Sequence, residues 1–442
     1  MEQLLFYKAR TSGNMWDTWL YWHKGMYYLF HLAGPGGHWN GIAMATSDDG
    51  VRWREHGMVL EKAEGVTWLG TGTVWEAPSH GSEPRLILNF SEWRGNAQTI
   101  FFAESSDLLH WRRLGNEHEF RPDGRWYRTG GGNDGRWDCI YSIDRPGGGR
   151  YGYWTANPLD FTGFGFGETD DGVTWRALPP PSIEWGDVAP MPVIESGAVA
   201  EIGGLYYTML GSYTSYNSCS SGMFSFVADA PSGPFRPITT NYALLTSPPG
   251  RMHSYFARFF PKDGELLVNH HVVAPDGEVF FAPLKLAEVD KSATLRLKWW
   301  HGNTAATNGW KTCQKTNETI SYDPSAGMLI EGTLRIPQNP DDVKPEILVC
   351  CDDRQRATHF RIQDGGVVDI DEIAADGAAS LLERVDRELG LTGSFSLRIL
   401  LMHSFVEIYL DDHLIQAHSL PAKAASRIMI CGVEHALVRK GP

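Results

Sequence analysis

The chain has 442 residues, of which 12% are aromatic, 17 of them tryptophan, and only 21% are charged. That composition excludes intrinsic disorder, and the length exceeds most single compact cores, so two domains are expected. A formal charge of −14, with Lys and Arg scattered and no basic run, argues against nucleic acid and anionic membranes as partners.

The opening stretch, "MEQLLFYKAR", lacks the apolar core of a secretory signal, and no run of about eighteen apolar residues is present to span a bilayer. As written this reads as a cytoplasmic protein, although a trimmed secreted chain would look the same. Next comes "WDTWLYWHKGMYYLF" (16–30), which sets Asp17 among aromatic and apolar side chains, where an isolated charge is costly to bury. "SDDGVRW" (47–53), "SSDLLHW" (105–111) and "TDDGVTW" (169–175) then repeat one pattern at about sixty-residue spacing, each ending in a tryptophan: Trp53, Trp111 and Trp175. A weaker version, "ADAPSGPF", ends in Phe235. Asp-Gly marks hairpin turns, and Trp suits the strand that leaves them.

A second repeat precedes these turns: "KGMYYLFHL" (24–32), "EPRLILNFS" (83–91), "GRYGYWTA" (149–156), "GGLYYTMLG" (203–211) and "DGELLVNHH" (263–271) each read as a turn followed by a strand. Five such units fit between residue 14 and about residue 288, with almost no helical periodicity, so a five-bladed β-propeller is expected over 1–289. A pair of β-sandwiches fits the regular period less well. From Asp290 the aromatic pattern gives way to short alternating strands, and a β-sandwich is expected over 290–442. Within it "IDEIAADGAASLLERVDREL" (370–389) reads as a short helix or a surface loop. The six cysteines (Cys139, Cys219, Cys313, Cys350, Cys351, Cys431) form no zinc spacing, and Cys350 and Cys351 read as buried apolar strand residues.

Three carboxylates share a placement. Asp17 lies eight residues before Gly25 and Glu195 eight before Gly203, while Asp138 lies just upstream of its own turn and aromatic strand. In a propeller the innermost strands line one channel, so these three should meet. Like charges crowded together push one carboxyl to a raised pKa, and a neutral acid beside an ionised carboxylate is what glycosidic cleavage requires. Metal binding is the competing use of such a cluster, but no calcium-type Asp/Asn ladder accompanies it. Each residue also has a plain alternative: a turn cap for Asp17, an ion pair with Arg136 for Asp138, and a solvated strand edge for Glu195. The tryptophans serve either core packing or a sugar-stacking cleft.

The order Asp, Asp, Glu on blades one, three and four, followed by a sandwich containing "LRILLMHSFVEIYLDDHLI" (397–415), resembles glycoside hydrolase family 32, the invertases, inulinases and levanases. The resemblance implies Asp17 as nucleophile, Asp138 as the group holding sugar hydroxyls and Glu195 as general acid/base, in a retaining double displacement. It implies a small carbohydrate substrate and no cofactor. The motifs depart from the family: N-D-P-N-G is "MWDTWL" here, R-D-P is "RWDC" with Arg136 displaced by one, and E-C is "ES" with Ser196. Trp16, Trp19, His38, Trp39, Trp75 and Trp185 are further candidates for stacking and hydroxyl contacts. Thr73 and Trp75 of "GTGTVWE" are placed at the border of the site, and His253 or Arg258 on its fifth side. The expected activity is an exo-acting β-fructofuranosidase, with fructosyl transfer open to the same intermediate. An arabinofuranosidase or xylosidase of the family 43 kind and a catalytically silent sugar-binding protein are the alternatives. The sandwich either braces the propeller or contributes to a homo-oligomer.

Overall fold

The turn-and-strand repeat folds into five antiparallel sheets arranged around a channel. The computed structural model describes residues 5–34, 38–78, 85–216, 219–251, 254–314, 319–336, 344–350, 356–363, 365, 367–385, 391–420 and 427–441. Blade one is the meander Asn14–His23, Met26–Gly34, Gly41–Ser47 and Arg54–Glu61. In blade two the first strand is broken into Trp68–Leu69 and Val74–Ala77, both paired with Arg85–Arg94. Blades three, four and five begin with Trp137–Asp144, Glu195–Ile202 and Ser254–Lys262. First strands of neighbouring blades touch, and between blades two and three Thr73, just before Val74–Ala77, donates to Ile140 O, which places them at the channel. Tyr7 exchanges backbone hydrogen bonds with Phe281, so a segment from the start of the chain closes the ring onto blade five.

The Asp-turn-Trp repeat has two physical jobs. Its hydroxyl and Asp bond the backbone of the turn between the third and fourth strands: Gly50 N–H donates to Ser47 Oγ at 2.8 Å, and Val51 and Arg52 N–H to Asp49 Oδ1 at 2.9 and 2.8 Å. Ser105 with Asp107 and Thr169 with Asp171 repeat the arrangement. The aromatic residue that follows packs edge-on against the preceding blade. Trp53 meets Phe281 at 5.3 Å, Trp111 meets Phe30 at 6.0 Å, Trp175 meets Trp75 at 5.7 Å and Phe235 meets Phe164 at 5.5 Å. Edge-to-face pairs at such distances are favourable beyond simple burial. The period of the sequence is therefore the period of the inter-blade contacts.

Blade five runs on without a break in hydrogen bonding. Lys285–Val289 pairs with Leu295–Trp299 across a turn containing Asp290, and Lys298 pairs with His413. Met328–Ile336, Gly393–Met402, Phe405–Leu410, His413–Ser419 and Val433–Lys440 continue this sheet as one layer of a sandwich. Glu346–Cys350, Ala357–Ile362, Val368–Ile373, Ala379–Val385 and Arg427–Cys431 form the other. Ile330, Ile399 and Ile408 meet Ile347, Phe360 and Ile370 in the core between them.

Two local expectations change. Residues 370–385, read as a helix or loop, include a β-hairpin that turns at Asp376 and Gly377, the glycine at φ +83°. Ile370 and Val368 alternate inward there, and this period-2 pattern outweighs the helix-forming Ala, Leu and Glu. The one α-helix among the described residues is His301–Thr307, just after "KWW". Cys350 is half-buried in its strand, and Cys351 lies outside the described residues.

Candidate active site

At one end of the channel Asp17, Asp138 and Glu195 line a single cavity of about 380 Å³. They do not reach it from the same register, which corrects the expectation of one equivalent position in three blades. In blade one Trp16 pairs with Leu32 and Trp19 with Phe30, so Asp17 and Thr18 bulge out of the ladder, and Asp17 takes φ +45°. In blade three the last regular pair is Asp138 with Thr155, and Cys139 takes the strained φ of +54°. In blade five it is Tyr255 with His271, followed by Phe256 at φ +55°. In blade four Ser196 pairs with Leu210 before Gly197 is skipped. Relative to the last regular pair, Glu195 stands one before, Asp138 at, and Asp17 one after it. Bulges re-aim side chains that strict alternation would send to opposite faces, and this brings the staggered carboxylates together. Positive φ at non-glycine residues is a strain that concentrates at functional sites.

Each carboxylate is held differently. Arg136 Nη2 donates to Glu195 Oε1 at 2.8 Å and to Asp138 Oδ2 at 3.3 Å, so the ion pair anticipated for Asp138 exists but is shared. Tyr255 Oη donates to Glu195 Oε2 at 2.8 Å. Ser91 Oγ donates to Asp138 Oδ1 at 2.6 Å and accepts from Gln98 Nε2 at 2.9 Å. Asp17 has no donor to its carboxylate among the described residues. Burial raises its pKa well above the ordinary carboxylate range; the charge of Glu195 adds to this and Arg258 opposes it. Burial also raises Asp138, against the pull of Arg136 and Ser91. Among the described residues no group of three His, Cys, Asp or Glu side chains is set to hold a metal ion.

Of the other expected site residues, the cavity collects Trp16, Trp39 and Arg136. Trp16 stacks on Trp39 at 6.0 Å and meets the buried His271 at a tilt, 4.5 Å away, where burial lowers the imidazole pKa. Arg258 does not line this cavity. Its guanidinium is buried, donates to Gly72 O and, at 3.0 Å, to Thr71 Oγ1 and Cys139 Sγ, and lies against Trp19 and Phe256. Trp19 and Thr73 face the far end of the channel with it, Thr73 donating to Ile140 O. Trp75 packs between blades and donates to Gly172 O, and Trp185 packs on Phe226 within blade four. His38 is exposed outside the cavity wall, and His253 lies outside the described residues. The sequence had not singled out Trp68, Trp93, Asn133, Tyr213 and Tyr255, which do line the cavity. Trp68 was findable as the aromatic residue two positions before Gly70; Tyr255 had no signal, because only the bulge of blade five aims it at Glu195.

No protein-family model matches the sequence, and no curated protein matches it. Solved structures do match in three dimensions. The sucrose-6-phosphate hydrolase of Lactobacillus gasseri aligns with a TM-score of 0.73 at 13% identity, over 100% of this chain and 93% of that one. An exo-inulinase from Aspergillus awamori aligns at 0.71 and 13%, over 99% and 98%. The fold of this chain is that of glycoside hydrolase family 32. A family 32 β-fructofuranosidase from Bombyx mori, in complex with sucrose, aligns at 0.70 and 14%, over 100% and 93%. The propeller followed by a sandwich is thus shared along the whole chain, although few residues are.

Proposed function

We propose that this protein is a retaining glycoside hydrolase of fructofuranosides, with Asp17 as nucleophile, Glu195 as general acid/base and Asp138 holding sugar hydroxyls. The observation that carries the reading is the convergence of these three carboxylates, from three blades, in one tryptophan-walled cavity. The substrates bound in solved neighbours, sucrose and 1-kestose, support the same class of small carbohydrate. Asp17 attacks the anomeric carbon while Glu195 protonates the departing oxygen, leaving a sugar ester on Asp17. Glu195 then takes a proton from water, which cleaves the ester with overall retention. Burial drives Asp17 toward its protonated form. A sugar hydroxyl donating to its carboxylate favours the ionised form, which is the form that attacks.

The test is product release from sucrose, inulin, levan, short fructo-oligosaccharides and nitrophenyl arabinofuranosides. Wild type is expected to release fructose, and Glu195→Gln to lower the rate by about 10²- to 10⁴-fold, the usual worth of a positioned acid/base. Arabinose as the product would transfer the chemistry to an arabinofuranosidase, and no product with intact folding would favour a silent binding protein.

Gly70 supplies a second check. A Cβ there would lie 2.1 Å from Ser91 Oγ and 2.5 Å from Asp138 Oδ1, so Gly70→Ala must displace the pair that fixes Asp138. Misplacing a catalytic group by about 1 Å costs on the order of 10²-fold. That fall in kcat/KM is expected without loss of the folded circular dichroism signal. Unchanged kinetics would separate Asp138 from the reaction.

A further inference from the structure

The outer half of the cavity says what leaves. Trp68 and Trp93 are cross-strand partners in blade two, with ring centroids 5.7 Å apart. Trp68 remains 39% exposed at the rim. It stands two residues outward from Gly70, whose Cα lies against Asp138 and Ser91. Two residues of extended chain span about 7 Å, roughly the width of one sugar ring. Leu69 N–H donates to Trp39 O at 2.9 Å, which ties this rim to the Trp16–Trp39 stack beside Asp17. Trp16, Trp39, Trp68 and Trp93 thus line the same cavity as the carboxylates. Arg136 is the one cation among the described lining residues, and it is already committed to Glu195 and Asp138. A phosphate carried on the leaving group would meet three carboxylates and a row of indoles, with no cation left to receive it among those residues.

Resting on the hydrolase reading above, we propose that Trp68 and Trp93 form the leaving-group subsite, and that it takes the apolar face of a neutral, unphosphorylated sugar ring. Three carboxylates against one committed arginine on the described wall favour a plain saccharide over a sugar phosphate. This distinguishes the site from what the name of the sucrose-6-phosphate hydrolase with the same fold states for that enzyme.

The experiment measures kcat/KM for wild type, Trp68→Ala and Trp68→Phe on sucrose, methyl β-fructofuranoside and sucrose 6-phosphate. The methyl glycoside has no second ring, so it reports the chemistry without the subsite. Trp68→Ala is expected to lower kcat/KM on sucrose about tenfold, the effect of uncovering one ring face, and to leave the methyl glycoside unchanged. Trp68→Phe should restore most of the loss, and wild type should prefer sucrose to its phosphate ester by at least about tenfold. Equal losses on sucrose and the methyl glycoside, no loss on sucrose, or a preference for the phosphate ester would each overturn the subsite while leaving the hydrolase reading intact. Release of fructose from none of the three would overturn both.

Discussion

Asp17→Asn is expected to lower kcat for fructose release by about 10⁴-fold or more, because an amide cannot form the sugar ester on which the two-step route depends. Asparagine is the informative replacement. Asp17 sits at φ +45°, a conformation that Asn tolerates and Ala does not, so the variant changes the chemistry without forcing the bulge. The same variant should be more stable than wild type at neutral pH. Burial raises the Asp17 pKa in the folded chain above its unfolded value of about 3.9. Between those two values the folded state keeps a proton that the unfolded state has released, so stability falls as pH rises through that window. The variant lacks this titration. Its melting temperature is therefore expected to exceed that of wild type at pH 7, with the gap closing as pH falls toward 4. Equal melting temperatures at both pH values would mean that Asp17 ionises without penalty, and full activity would remove it from the reaction.

The second large effect lies between propeller and sandwich. Lys285 of blade five donates to Glu407 Oε1 of the sandwich at 2.5 Å, to His270 Nε2 at 2.8 Å and to Pro283 O at 2.7 Å. Tyr409 Oη donates to the other Glu407 oxygen. The Lys285 and Glu407 side chains are 0% and 1% exposed. Burial pulls the lysine pKa down and the Glu407 charge resists it. Removing one partner strands a buried charge, which typically costs about 3–5 kcal/mol. Lys285→Met is expected to destabilise the whole chain by that amount, read as a lower denaturant midpoint. The double variant Lys285→Met/Glu407→Leu should recover much of the loss, since well-packed apolar pairs often replace buried ion pairs without penalty. A single-variant loss below about 1 kcal/mol, the range of exposed pairs, would show that this contact does not bind the two parts together.

Glu407 also illustrates how far the sequence could be read. The stretch "LRILLMHSFVEIYLDDHLI" pointed to the family, yet nothing in it said that its glutamate would clamp onto Lys285, 122 residues earlier. The repeat ending in Trp53, Trp111, Trp175 and Phe235 was legible because each aromatic performs the same inter-blade contact. Regular contacts leave a regular period. Trp75 and Arg258, expected at the site, lie outside the cavity of the three carboxylates, because type and approximate position cannot say which part of the channel a side chain faces. Tyr255 was missed for the complementary reason: a bulge in blade five aims it, and that irregularity has no sequence signature, whereas Trp68 stood in plain view two residues before Gly70.

What the sequence by itself determined, then, is whatever repeats or alternates: five blades, a sandwich after them, and three carboxylates on first strands. Backbone hydrogen bonding and apolar burial impose those periods on neighbouring residues, so they are written locally. Only the tertiary structure decided which side chains share the cavity. The bulges at Asp17, Cys139, Gly197 and Phe256 shift the register by a single residue. One residue in a strand is the difference between facing the channel and facing away.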